Sequence, residues 1–156
     1  MSEIVSEGPG LGRREVHLER TGQGRFVARN ARGGEVAFGT GEDSDFTPVE
    51  LLLAAIAGCS AVDVDLITGK RAQPDAFSVA ASGTKVRDPQ GNRMADILVR
   101  FEVTFPEGPG GDRARDMLPR AVAMSHDRLC TVSRTVQVGT PVEMSIGGVA
   151  DAAPWP

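Results

Sequence analysis

The chain has 156 residues, 17 basic against 21 acidic, with 40% hydrophobic and 4% aromatic side chains and two cysteines. That length suits one domain with a sizeable core, and a net charge of -4 with both signs dispersed excludes the basic footprint of a nucleic-acid binder. No charged segment leads into an apolar run at the start, so no signal peptide is expected and the protein is read as cytoplasmic, a reducing compartment where two cysteines are catalytic or inert rather than a structural staple.

Residues 1–12 are rich in Gly and Glu and are expected to fray. Residues 14–20 alternate, with Val16 and Leu18 on one face and His17 on the other, and read as a strand. Thr21–Gly24 turns into a second strand at residues 25–29, and Asn30–Gly34 turns into a third at residues 35–38, an antiparallel meander. An acidic connector at residues 39–45 leads to the longest element, a helix over residues 47–70. Thr47 is placed to cap it and Pro48 to occupy its first position. From Leu51 to Cys59 no face carries a charge, so this half is expected to be enclosed on every side. Its unbroken apolar run is too short to span a membrane, which takes about 18 residues or more. Asp63 and Asp65 are read as solvated charges, and Gly69 with Lys70 as the stop.

Beyond the helix, residues 76–87 alternate with Phe77, Val79 and Ala81 inward and Gly83 as a bulge, and residues 88–92 form a turn. Residues 95–105 have the clearest period of two: Ile97, Val99, Phe101, Val103, Phe105. A second helix is expected over residues 112–128, with Met117, Leu118, Val122 and Leu129 at helical spacing and a start or kink at Pro119. Residues 130–136 (CTVSRTV) fit a short helix, residues 141–146 (PVEMSI) a last strand, and residues 147–156 a disordered tail. The order β-β-β-α-β-β-α-β specifies an α+β two-layer fold, one domain over residues 1–146 with an antiparallel sheet and a long buried central helix. A helix apolar on every face exceeds what six strands of one protomer can cover, so a homodimer is expected.

Two residues stand out chemically. Cys59, sealed in an apolar helix, is either a small hydrophobe or a reactive thiol. Cys130 precedes a polar run; if that run is helical, its N-terminus and Arg134 one turn on would both lower the thiol pKa. A plain disulfide across the 71 positions between them would contribute about 4.4 kcal/mol, yet an apolar helix interior is an odd place for a cross-link that only stabilises. The pair reads better as a thiol that reacts and a thiol that resolves. His17 and His126 lack the paired spacing of a four-ligand site and read as surface histidines, so neither metal nor cofactor is expected.

Thr47–Cys59 (TPVELLLAAIAGC), followed by Ser-Ala-Val-Asp-Val, resembles the central-helix motif of the OsmC/Ohr family, the osmotically induced and organic-hydroperoxide-resistance proteins. Cys130–Val136 is similar to that family's C-P-V-S-R-T-L segment, with Thr131 where proline is usual. The resemblance runs over residues 14–146. It implies an intertwined homodimer with the long helices back to back, a reactive thiol at Cys59, a resolving thiol at Cys130, and reduction of organic hydroperoxides by an external dithiol. Val49 follows Pro48 and Glu50 comes one later, as in the divergent OsmC-like branch with T-P-[MV]-E-L.

Such peroxidases set an arginine beside the reactive sulfur. Arg20, Arg25, Arg29 and Arg32 precede the helix here, and none is matched to that role. A carboxylate would hold that arginine, and Glu50 is the candidate. It lies roughly 13.5 Å before Cys59 along a helix and half a turn out of phase, so it reaches a thiol only through a folded-back loop or a second protomer. The alternative is an acid favoured by the helix dipole. Leu52, Ala55, Ile56 and Met124 are the expected lining of an apolar substrate pocket. The rival functions are a small-molecule binding protein of the same fold and a Cys-dependent hydrolase using His126.

Overall fold

The computed structural model of the protein describes residue 4, residue 8 and residues 10–147. The expected frayed start and C-terminal tail therefore lie largely outside the described residues. The chain divides into two units, Met1–Leu52 and Leu53–Pro156.

In the first unit the alternating segments form three antiparallel strands in the order β1 (Val16–Gly22), β2 (Arg25–Asn30), β3 (Glu35–Gly39). Gly24 adopts φ +66 in the first turn, a left-handed conformation that suits glycine. Phe26 pairs with Phe38, and their rings stack with centroids 5.8 Å apart. Val27 and Phe38 are buried, whereas Val16 and Leu18 stay exposed together with His17, so neither face of β1 is covered. Arg25 is committed to Asp43 at 3.0 Å, and Arg29 to Glu35 at 2.6 Å and to Glu19.

Helix α1 runs from Pro48 to Thr68. It ends where the Gly69 N–H reaches the Asp65 carbonyl at 2.8 Å, with no room for a Cβ. The expectation that its apolar half is enclosed on every side is corrected. Ile56, Ala57, Ser60, Val64 and Thr68 form one buried stripe, while Ala55, Gly58, Val62 and Leu66 form an exposed one. The chain covers one face only. By length and composition alone, 21 residues at mean hydropathy 1.9, α1 could cross a bilayer. It nevertheless carries Asp63 and Asp65, and its buried stripe is taken up by packing within the second unit.

Strands β4 (Ala76–Asp88) and β5 (Gly91–Thr104) form a long two-stranded hairpin, a sheet separate from the meander. The register slips between Ser82 and Thr84, so Gly83 sits at the expected bulge. A Cβ there would come within 2.9 Å of the Met94 side chain. Phe77, Val79 and Ala81 on β4 and Ile97, Val99, Phe101 and Val103 on β5 share one half-buried face, the rings of Phe77 and Phe101 meeting edge-on at 6.3 Å.

Helix α2 begins at Pro109 and continues through Pro119 to Met124, so the second helix starts earlier than the sequence suggests. Gly111 allows this start, since a Cβ there would lie 1.7 Å from the Pro106 carbonyl oxygen. After Met124 the chain widens into a single π turn, Ser125–Leu129, and then forms α3, Thr131–Gln137.

The strand expected at residues 141–146 is also corrected. No strand forms there, and Val142, Met144 and Ile146 are 81%, 85% and 65% exposed. A strand exists through its hydrogen-bonded neighbour, and among the described residues this segment has none. The α+β class with antiparallel sheets stands; the expected sixth strand does not form.

Candidate active site

The site lies in the second unit, where α1 meets the start of α3. The π turn closes with the Cys130 N–H on the Ser125 carbonyl at 2.9 Å, five residues back, and so delivers Cys130 to α1. There the Cys130 sulfur, fully buried, comes close enough to the Cys59 sulfur for each thiol to act on the charge of the other. Both thiols are free.

Cys130 caps α3. Its sulfur accepts the Ser133 N–H at 3.4 Å, touches the Ser133 hydroxyl at 3.1 Å, and faces the Ile56 carbonyl of α1 at 4.0 Å. The Val132 N–H, one residue earlier, acts on the Cys59 thiol instead. The unpaired amides of one helical turn are thus shared between two thiols.

The two sulfurs are electrostatically unequal. Burial pushes the Cys59 thiol up, the Val132 N–H pulls it down, and the hydrogen bond and charge of Cys130 together with the Asp63 charge push it up again; the balance is upward. Burial also pushes Cys130 up. There the Ser133 hydroxyl, the Ser60 hydroxyl, the Ser133 N–H and the Cys59 thiol outweigh it, and the balance is downward. Cys59 is the more exposed partner of the two.

Beside the thiols is a cavity of about 380 Å³. Ile97, Val99 and Phe101 of β5, Val122 of α2 and Val136 of α3 form its apolar wall. Ser60 and Ser133 also line it, and Ser133 bonds the Cys130 sulfur as well, so the cavity lies next to the thiol pair. Of the four residues expected to line a pocket only Ile56 does so. Ala55 is turned out on the exposed stripe of α1, because the helix presents Ile56 and Ser60 inward.

Glu50 is placed elsewhere. Its carboxylate accepts the Thr47 N–H at 2.8 Å and its own N–H reaches the Thr47 hydroxyl at 3.3 Å, a reciprocal capping box. Arg134 is exposed, and the groups acting on Cys130 are hydroxyls, an amide and a thiol rather than its guanidinium. His126 stands at the cavity rim, two-thirds exposed and paired with Asp127 at 2.8 Å, which gives a Cys–His hydrolase no contact to work with. Asp65 is exposed as expected. Asp63 is not: it is half-buried and accepts a hydrogen bond from the buried Ser125 hydroxyl at 2.9 Å. Sequence reasoning missed Ser60, Asp63, Ser125 and Ser133. The available signal was polar side chains on an otherwise apolar stripe, at positions 60 and 63 of α1. Among the described residues no cluster of three or more His, Cys, Asp or Glu could hold a metal.

Residues 41–145 match the family described as OsmC-like protein. The chain belongs to that family. An uncharacterized protein of Mycobacterium tuberculosis is 32% identical over 135 residues, 85% of this chain and 95% of the relative. The crystal structure of a hypothetical protein from Aquifex aeolicus superposes with TM-score 0.66 at 25% identity, covering 83% of this chain and 91% of its own. An organic hydroperoxide resistance protein OsmC from Legionella pneumophila shares the OsmC fold at 14% identity and TM-score 0.57, over 79% and 89% of the two chains. The OsmC-like fold therefore brings together two cysteines far apart in the sequence.

Proposed function

We propose that this OsmC-like protein is a thiol peroxidase that reduces organic hydroperoxides. The observation that carries the reading is two free thiols close to one another beside a largely apolar cavity. Cys59, the more accessible sulfur, acts as the attacking thiolate once its proton has passed to Cys130. It takes the terminal oxygen of the hydroperoxide, the O–O bond breaks, and the alkoxide leaves and picks up a proton. Cys59 is now a sulfenic acid. The Cys130 sulfur displaces hydroxide from it, which leaves as water, and the 59–130 disulfide is reopened by an external dithiol that is itself oxidised. The apolar wall favours alkyl over hydrogen peroxide, each buried methylene adding about 0.8 kcal/mol.

The assembly proposed for this reading is a homodimer. The exposed Ala55–Gly58–Val62–Leu66 stripe offers small residues that let a second helix approach closely, and Val142, Met144 and Ile146 alternate as a strand without a neighbour. A pair of cysteines that react and are re-reduced suits a reducing compartment, and a cytoplasmic location is part of the proposal.

Intact-mass spectrometry after one and ten equivalents of cumene hydroperoxide tests the reading. Wild type should lose two hydrogens by forming the 59–130 disulfide, and Cys59→Ser should consume nothing. Wild type that neither consumes hydroperoxide nor forms the disulfide would turn the reading to a binding protein of this fold. Light scattering at micromolar concentration tests the dimer, and a monomer there would remove it.

A further inference from the structure

We propose that Asp63, held by Ser125 one turn beyond Cys59 on α1, opposes a negative charge on Cys59 and so governs how readily Cys59 reacts. The inference rests on the reading of the pair as reactive thiols.

Asp63 follows Cys59 by four residues on α1, which sets the two side chains one above the other on the same face. The carboxylate is half-buried, and its partner is the neutral Ser125 hydroxyl at 2.9 Å; among the described residues it forms no ion pair. Asp65, two residues on, shows what a merely solvated charge on this helix does: it is exposed. Ser125 is buried and has two attachments. Its hydroxyl ties the π turn to Asp63, and its carbonyl accepts the Cys130 N–H at 2.9 Å. The carboxylate is thus fixed to the same turn that fixes Cys130.

The other charges around the pair are turned to water. The π turn carries the exposed His126–Asp127 pair and exposed Arg128, α3 carries exposed Arg134, and Arg100 of β5 pairs with Glu102 in solvent. Asp63 is left as the uncompensated charge at Cys59, where it opposes a thiolate. Cys130 instead faces the donors of Ser133 and Ser60. Burial is the first cause of the upward push on Cys59, and the Asp63 charge adds to it in the same direction.

The test is alkylation of the reduced full-length protein by iodoacetamide between pH 6 and 10, read at Cys59 by peptide mass. Alkylation rate follows the thiolate fraction. Asp63→Asn removes the charge and keeps an acceptor for Ser125. It should lower the Cys59 midpoint by about one pH unit and speed alkylation at pH 7 about three- to tenfold, whereas Asp65→Asn should match wild type. Ser125→Ala, which frees the carboxylate to turn outward, should shift the midpoint the same way, and Ser125→Thr should restore it. Identical profiles for Asp63→Asn and Asp65→Asn overturn the proposal, and that comparison decides alone if Ser125→Ala does not fold. No hydroperoxide enters this experiment, so wild type inert to hydroperoxide would remove the peroxidase reading and leave an observed Asp63 shift intact.

Discussion

Helices α1 and α3 both begin with a side chain that accepts the N–H of the residue three positions on: Thr47 from Glu50 at 3.3 Å, and Cys130 from Ser133 at 3.4 Å. The first box is exposed, is closed by the Glu50 carboxylate on the Thr47 N–H, and lies wholly within four consecutive residues. The second is buried, and its cap atom is a sulfur that also meets Ser60 and Cys59 of another helix. The same spacing therefore does two different things. With oxygen at the cap and water around it, the box only satisfies helix ends. With sulfur at the cap and a second thiol in reach, the donors that cap the helix also stabilise a thiolate.

Turning the second box into a chemical copy of the first gives the largest expected effect. Cys130→Ser keeps an acceptor at the cap, so α3 should lose no more than about 1 kcal/mol. The chemistry should stop: the variant should consume about one equivalent of hydroperoxide, stall as a Cys59 sulfenic acid, and over-oxidise when peroxide is in excess. Dimedone trapping and intact mass would read both stages. Full turnover by Cys130→Ser would show that the cap is all that Cys130 provides.

The contrast also explains which parts of the molecule were legible in the sequence. Thr47, Pro48 and Glu50 announce the α1 start because every interaction there is local. Strand alternation is local too, and β2 to β5 fall close to where the pattern puts them. The thiol site is not local. A second helix continuing to residue 128 leaves no hint of the π turn, which inserts a residue into the helical register and brings Ser125 to Asp63 and Cys130 to Cys59. Positions 141–146 carry a legible strand pattern, but pattern supplies no partner. Composition likewise shows that α1 is apolar all round without showing that the chain covers only the Ile56–Thr68 stripe.

A smaller effect should follow from trimming the donor rather than the cap. Ser133→Ala leaves its N–H on the Cys130 sulfur and removes the hydroxyl, a loss of about 1 kcal/mol at pH 6. The sign of the pH dependence follows from the lowered Cys130 value. A depressed folded-state value contributes stability that is complete above the ordinary thiol value of 9.0 and is lost as pH falls through the folded value. Removing the hydroxyl moves the folded value back up. The gap between wild type and variant should then be wider at pH 9 than at pH 6, in urea titrations with reductant present. A gap that does not change with pH would make Ser133 an ordinary buried hydrogen bond.

The smallest expected effect belongs to the first box, and it decides the part Glu50 plays. Glu50→Gln keeps an amide oxygen for the Thr47 N–H, so the box can still close. What it removes is a negative charge in the first turn of α1, which the helix dipole favours by about 0.5 kcal/mol at an exposed position. Thermal melts should therefore show a small loss that shrinks further at high salt, as a screened surface interaction must. Hydroperoxide turnover should be unchanged, because within the protomer the carboxylate is engaged with Thr47 and not with a thiol. A tenfold fall in turnover with the melt unchanged would mean that Glu50 acts on the thiols of a second protomer. The two boxes would then differ less than their surroundings suggest, both serving the same chemistry from opposite sides of a dimer.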